Sequence, residues 1–284
     1  MKKLISILLV ALLLFSTTSC TSNYEIDENV VKDVSDKITD AVIKTTGKEK
    51  VQKVESHTIS ASDLNKLIIK SAIGNINITS HESSDTLIDV KLESKANNME
   101  DAKKLIEDFT YTIEEKFKSI NIDTSKNINN LDPSNMIQVT LDIKIPETIK
   151  SFVINTNIGD ITINNVQGQI EVVSNVGEVN INNSSASYDL KVDVGDINLD
   201  NCISLNSSTF LINTGDINCD FSDIYNSKVI KANVIVGDIN LTLPKDSSYE
   251  TVINEFMMKE IVKINNDGKT RVELTTNVGS IDFN

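Results

Sequence analysis

The sequence contains no tryptophan, and Arg271 is its only arginine. Arginine binds phosphate or carboxylate through two parallel hydrogen bonds, so binding of that kind is available at one position at most. The three cysteines, Cys20, Cys202 and Cys219, are too few for a disulfide-rich scaffold. Because aromatic residues are also scarce, a hydrophobic core must depend on isoleucine, valine and leucine.

The N-terminus resembles a bacterial export signal that ends in a lipid-attachment cysteine. Two lysines precede the apolar run Leu4–Phe15, which is too short to span a bilayer. The segment Ser16–Cys20 then resembles a lipobox, although Thr17 stands where leucine is usual. We therefore expect a signal peptide at residues 1–19 and lipidation of Cys20, with an ordinary cleaved signal as the alternative.

The charge of the chain is strongly acidic. Without residues 1–19 it has 25 basic and 41 acidic side chains, a net charge of −16. Such a chain repels nucleic acid and anionic lipid headgroups. We expect an extracytoplasmic protein that is held at the cell membrane by its lipid and that does not bind nucleic acid.

A short pattern recurs along most of the chain: a glycine, a polar residue, then isoleucine or valine. From the second to the sixth copy the glycines are 18, 18, 20 and 22 residues apart, and a period near 20 is typical of stacked repeats. On both sides of the glycine, apolar and polar residues alternate with the period of a β-strand. Each copy is therefore predicted to be a strand, a glycine corner and a second strand. The corner glycines are Gly74, Gly159, Gly177, Gly195, Gly215, Gly237 and Gly279.

This pattern predicts an all-β protein, a β-helix or solenoid-like stack of 18–22-residue repeats. An antiparallel β-sandwich is the alternative, but the glycines follow Ile, Val or Thr rather than the Asn or Asp of favoured hairpin turns. Helical periodicity predicts an N-terminal helix at Ile26–Thr46 and a helix at Asn98–Asp108 in a small α/β insertion. The predicted parts are a tether and helix (20–47), a β-rich part with the insertion (48–146), the repeats (147–243) and C-terminal strands with the last copy (244–284).

Two polar columns accompany the corners, and each has two interpretations. The acidic column would bind calcium or, preferably, hydrogen-bond the backbone of its own turn, and we predict no metal site. The asparagine column would present a polar strip to a glycan or form a stabilising amide ladder along the stack. The acidic column is Asp160, Glu178, Asp196, Asp216 and Asp238, and the asparagine column is Asn77, Asn180, Asn198, Asn218 and Asn240.

The repeats resemble a widespread bacterial domain family of unknown function that is named "putative adhesin". The resemblance rests on Ile145-Pro146 with the run Phe152–Ile163, and on Leu243–Asp246, and it covers roughly Val51 to Asn284. It implies a β-helix-like fold, a location in the cell envelope and no catalytic residues. A shared fold adds little about the ligand.

Chemistry in an enzyme needs a nucleophile with a base, paired carboxylates in a cleft, or a set of metal ligands, and none stands out in the sequence. We therefore expect a non-catalytic protein without a cofactor that binds an envelope protein or a glycan. One alternative is an envelope scaffold or sensor that binds a membrane protein. The other is a polysaccharide-active β-helix enzyme, against which the missing tryptophan and the single arginine argue.

Overall fold

The computed structural model describes residues 49–61, 63–125, 135–255, 261–265 and 269–284. The predicted signal peptide, Cys20 and the predicted helix Ile26–Thr46 lie outside these residues. The chain divides into two compact units. The first draws on Met1–Lys53, Leu92–Phe109 and Asn127–Gln138, and the second on Val54–Lys91, Thr110–Lys126 and Val139–Asn284.

Strands dominate the described part of the chain, which confirms the all-β class. The strands are β1 (Glu49–Ser60), β2 (Lys66–Ile73), β3 (Ile76–His81), β4 (Asp85–Ala96), β5 (Thr112–Lys116), β6 (Ser119–Asp123), β7 (Met136–Pro146), β8 (Ser151–Ile158), β9 (Ile161–Asn164), β10 (Gln167–Val176), β11 (Val179–Asn182), β12 (Ser185–Val194), β13 (Ile197–Ser204), β14 (Asn206–Thr214), β15 (Ile217–Asp223), β16 (Ser227–Val236), β17 (Ile239–Thr242), β18 (Tyr249–Glu255), β19 (Ile261–Asn265), β20 (Thr270–Val278) and β21 (Ile281–Phe283).

The first unit contains helix α1, Met99–Asp108, where the sequence predicts a helix. The helix begins because the side-chain oxygen of Asn98 accepts the backbone N–H of Asp101 at 2.8 Å. Ala102 is buried, and its carbonyl oxygen accepts a hydrogen bond of 2.6 Å from the hydroxyl of Ser94 on β4. Within the described residues no helix has the length and apolar composition needed to cross a membrane.

Two parallel ladders form most of the second unit. Strands that precede a corner glycine pair with the equivalent strands of neighbouring copies, and so do strands that follow one. Consecutive copies are therefore stacked in register, as in Val172↔Leu190 before the corner and Val179↔Ile197 after it. We call the first set ladder A and the second ladder B. Ladder A is β2, β8, β10, β12, β14, β16 and β20, and ladder B is β3, β9, β11, β13, β15, β17 and β21.

The remaining strands of the second unit extend these ladders. Strand β6 pairs in parallel with β2 and forms an antiparallel hairpin with β5. At the other end of ladder A, β18 pairs in parallel with β20 and antiparallel with β19. Strand β7, in which apolar and polar residues alternate from Ile137 to Ile145, pairs in parallel with β3.

The core of the second unit consists of the inward columns of both ladders. Within this core, the rings of Tyr188, Phe210 and Phe221 form a cluster with centroids 6.2–6.3 Å apart. Cys202 and Cys219 are both buried, and both are free thiols. Burial raises the pKa of each thiol, so neither side chain is poised to react as a thiolate.

Candidate binding face

The corner glycines set the geometry on which every outward residue depends. All seven have φ between 135° and 146°. At Gly195, where φ is 140°, an added Cβ would lie 2.1 Å from the carbonyl oxygen of Gly177 in the preceding copy. The N–H of Gly195 in turn donates to the carbonyl of Thr214 in the next copy at 3.0 Å. The copies therefore approach so closely at the corner that no side chain fits between them.

Acidic side chains next to the corners hydrogen-bond the backbone of the following copy. The Oδ1 of Asp196 accepts the N–H of Asp216 at 2.9 Å, and Asp216 in turn accepts the N–H of Asp238 at 2.8 Å. Asn75 does the same for the N–H of Asp160 at 3.1 Å. The acidic side chains therefore hydrogen-bond the backbone, as predicted. The prediction that each would bond its own turn is wrong, because each bond goes to the neighbouring copy. Among the described residues, no group of three or more His, Cys, Asp or Glu has the arrangement of a metal site.

Two substitutions at Asp196 distinguish the contribution of its hydrogen bond to Asp216 from that of its negative charge. Asp196→Asn keeps an oxygen in place and should change the melting temperature little, since the amide oxygen of Asn75 accepts the equivalent bond from the N–H of Asp160. Asp196→Ala leaves the half-buried N–H of Asp216 without its acceptor and should cost about 1–2 kcal/mol. Thermal unfolding of both variants checks this. Equal destabilisation by the two would mean that the negative charge, not the acceptor, stabilises the corner.

Four members of the asparagine column, Asn180, Asn198, Asn218 and Asn240, form an amide ladder. The Nδ2 of Asn198 donates to Oδ1 of Asn180 at 2.9 Å, and Asn218 donates likewise to Asn198 at 3.0 Å. Asn240 continues the ladder with a bond of 2.8 Å to Asn218. An asparagine side chain has two N–H groups and two oxygen lone pairs, and the ladder uses one of each. Each member inside the ladder therefore keeps one donor and one acceptor, held at a fixed orientation.

The outward residues of ladder B together form a surface that we call the amide–carboxylate face. It comprises the residues one, three and five positions after each corner glycine, none of which is buried. Eight of them are acidic and none is basic. They are Asn75, Asn77, Thr79, Asp160, Thr162, Asn164, Glu178, Asn180, Asn182, Asp196, Asn198, Asp200, Asp216, Asn218, Asp220, Asp238, Asn240, Thr242, Ser280, Asp282 and Asn284.

Ladder A has the opposite character on its outward side. Its exposed or half-exposed residues include basic, acidic and apolar side chains. The amide–carboxylate face of ladder B has no basic side chain. The basic residues of ladder A are Lys66, Lys70, Lys191, Lys228, Lys231 and Arg271. The two sides of the stack therefore differ in charge although the same repeats build them.

A second set of corners was missed by the sequence analysis. Asn165, Asn183 and Asn201 have φ of 57°, 50° and 50°, in the left-handed region that asparagine adopts more readily than most residues. Asn201 also donates from Nδ2 to Oδ1 of Asn183 at 2.7 Å. The signal was present, because each of these residues stands six positions after a corner glycine and follows Asn or Asp.

The column of Asn77 begins at an ion pair that sequence reasoning also missed. Asn77 donates to Oδ1 of Asp142 at 2.6 Å, and Lys91 forms an ion pair with the same carboxylate. Partial burial would raise the pKa of Asp142, but the hydrogen bonds from Lys91 and Asn77 hold it below its ordinary value. Asp142 therefore stays ionised and gives the asparagine column a fixed acceptor at this end.

Another cluster of polar residues lies on β1 and beside β5. The Nε2 of His57 lies 2.8 Å from the hydroxyl of Tyr111, which donates to the carboxylate of Glu55. Partial burial and the neighbouring Glu55 raise the pKa of the Tyr111 phenol. The tyrosine is therefore neutral and fixed in place, and the cluster joins β1 to the segment before β5.

The comparisons with known proteins concern the fold. No family model and no curated protein matches the sequence. The fold resembles a "putative adhesin" from Bacteroides fragilis, with 16% identity, a TM-score of 0.48, and coverage of 82% of this chain and 97% of that one. It also resembles a "putative cell adhesion protein" from Clostridium sporogenes, with 12% identity, a TM-score of 0.34, and coverage of 83% and 99%. These names agree with the family that the sequence resembles, and the likeness is one of fold alone.

Proposed function

We propose that this chain is a non-catalytic, lipid-anchored cell-surface protein with an adhesin-like domain that binds a neutral glycan through its amide–carboxylate face. The observation that supports it best is the amide ladder of Asn180, Asn198, Asn218 and Asn240. The ladder leaves unused donors and acceptors at the spacing of neighbouring strands, about 4.8 Å. Because these groups are already ordered, a ligand does not bear the entropic cost of ordering them.

The charge of the face restricts the ligand. Eight acidic and no basic residues repel anionic polymers, so teichoic-acid-like or nucleic-acid ligands are disfavoured. Hydroxyl groups of a neutral polysaccharide match the free amide N–H groups and the oxygen acceptors alike. Each contact is weak, but a polymer that follows the stack makes the same contact at successive copies, and linked contacts reinforce one another.

Substitution in the ladder tests this proposal. Asn198→Thr together with Asn218→Thr removes two amides, and threonine is compatible with the column because Thr162 occupies it in another copy. We expect at least a tenfold loss of binding to purified neutral cell-wall polysaccharide. The free energy of unfolding should fall by only about 1 kcal/mol for each lost hydrogen bond. Binding is measured by biolayer interferometry and stability by thermal unfolding.

The matched control lies on ladder A. Asn233→Thr makes the same chemical change at an outward position where the next copy has Thr275. It should leave glycan binding unchanged. Equal binding by the wild type and the double variant would refute a role for this face. If a photo-cross-linker at Asp220 instead captured an integral membrane protein in cells, the scaffold alternative would be favoured.

A further inference from the structure

The hairpin between β5 and β6 ends in an aromatic side chain that is not packed. Phe117 is 91% exposed, the most exposed large hydrophobic residue in the described part of the chain. The Nζ of Lys116 lies 5.7 Å from the centre of its ring, and Lys118 follows it directly. We call Lys116–Lys118 the hairpin tip. It combines one apolar ring with two ammonium groups on a convex turn.

The backbone of the tip is unfavourable for the residues that occupy it. Phe117 and Lys118 have φ of 51° and 62°, so both lie in the left-handed region. Two-residue hairpin turns in which both residues have a positive φ prefer Asn-Gly or Asp-Gly. The turn is held in place because the N–H of Asn65 donates to the carbonyl of Lys118 at 3.1 Å. Neither burial nor turn geometry accounts for a phenylalanine here, and residues strained in this way concentrate at functional positions.

We propose that the hairpin tip inserts into the headgroup layer of a phospholipid membrane. The ring of Phe117 would enter the boundary of the acyl chains while the two lysines pair with lipid phosphates, the division seen in interfacial anchors. A convex tip suits a deformable lipid surface better than a sugar, which a cleft or a flat aromatic platform would hold. One ring and two lysines are too few to hold a protein at a membrane alone. The inference therefore rests on the proposed lipid at Cys20, which would keep the tip close to the bilayer.

The charge of the chain indicates which feature of the lipid is recognised. Glu114 and Glu115 are exposed on β5 near the tip, and the chain without residues 1–19 has a net charge of −16. Attraction to a negatively charged surface is therefore opposed. The phosphate oxygens present in every phospholipid remain as partners for the lysines, so we expect insertion into zwitterionic bilayers.

The absence of tryptophan makes a direct test available. Phe117→Trp introduces the only indole of the chain. In the exported, lipidated protein reconstituted into phosphatidylcholine vesicles, its fluorescence should shift to the blue by about 10 nm. Brominated acyl chains should quench it at least twofold. The control is Tyr225→Trp, at a residue that is 80% exposed in the loop after β15 and should be neither shifted nor quenched.

Flotation of the same vesicles tests the lipid anchor at Cys20 separately from insertion of the hairpin tip. Protein that floats with an unquenched indole at position 117 overturns the insertion, whatever the function of the face. Protein that does not float refutes the lipid anchor. The thiol of Cys20 is then coupled to a maleimide lipid and quenching alone decides. Quenching in vesicles containing phosphatidylglycerol but not in pure phosphatidylcholine would overturn the assignment to lipid phosphate.

Discussion

Gly195→Ala is expected to lower the free energy of unfolding by about 3 kcal/mol or more. The new Cβ would lie 2.1 Å from the carbonyl oxygen of Gly177, so the backbone of two copies must separate. The φ of 140° adds strain of about 1–3 kcal/mol for any residue with a side chain. For a domain of this size the melting temperature should fall by roughly 6–12 °C, measured by circular dichroism.

The neighbouring residue supplies the control for this prediction. Asp196→Asn changes the next position along the chain, keeps the acceptor for Asp216 and should leave the melting temperature within a degree or two. The two variants therefore separate the effect of the corner from that of a change nearby. An unchanged melting temperature for Gly195→Ala would show that the copies do not approach at the corner as described.

Cys20→Ala is expected to abolish attachment of the protein to the membrane. Only two other cysteines exist, Cys202 and Cys219, and both are buried thiols that an acyl transferase cannot reach. Cells fed a clickable palmitate should label the wild type and leave the variant unlabelled. Fractionation should find the variant in the medium or the soluble fraction instead of the membrane fraction, because the variant lacks the lipid that anchors the protein.

Cys202→Ser provides the matched control for labelling, since it removes a cysteine without touching the proposed acylation position. It should retain the full palmitate signal. Equal labelling of Cys20→Ala and the wild type would show that the lipid is not attached to Cys20. An unlabelled wild type would show that the apolar N-terminal run is an ordinary signal.

Much of the fold follows from local patterns in the sequence. The alternation on both sides of Gly177 predicts two strands with their inward residues, and the structure has β10 and β11 there, with Val172 and Ile181 buried. The acidic first turn and the apolar face of Asn98–Asp108 predict α1. These features depend on residues close in sequence, so periodicity is enough to find them.

The remaining features depend on contacts between distant residues. The bond from Asp216 N–H to Asp196 joins residues 20 positions apart, so it follows from the stacking register and not from the local pattern that predicted a bond within one turn. The exposure of Phe117 could not be predicted from the sequence, because an apolar residue in a strand-like segment is normally packed. The left-handed conformation of Asn183 could have been predicted, because asparagine adopts it more readily than most residues, but only glycines were predicted as corners.

Distances along the asparagine column test most directly the central claim that the copies stack in register to form one continuous face. Thr162 and Asn240 are joined by four parallel steps, through Asn180, Asn198 and Asn218. With strands about 4.8 Å apart, their Cα atoms should be about 19 Å apart. Nitroxides on Thr162→Cys and Asn240→Cys, in a Cys20→Ser chain whose buried native thiols do not react, should give a narrow distance distribution by pulsed electron resonance. We predict a centre near 20 Å. A broad distribution, or one centred beyond about 30 Å, would contradict the stacked face and the function built on it.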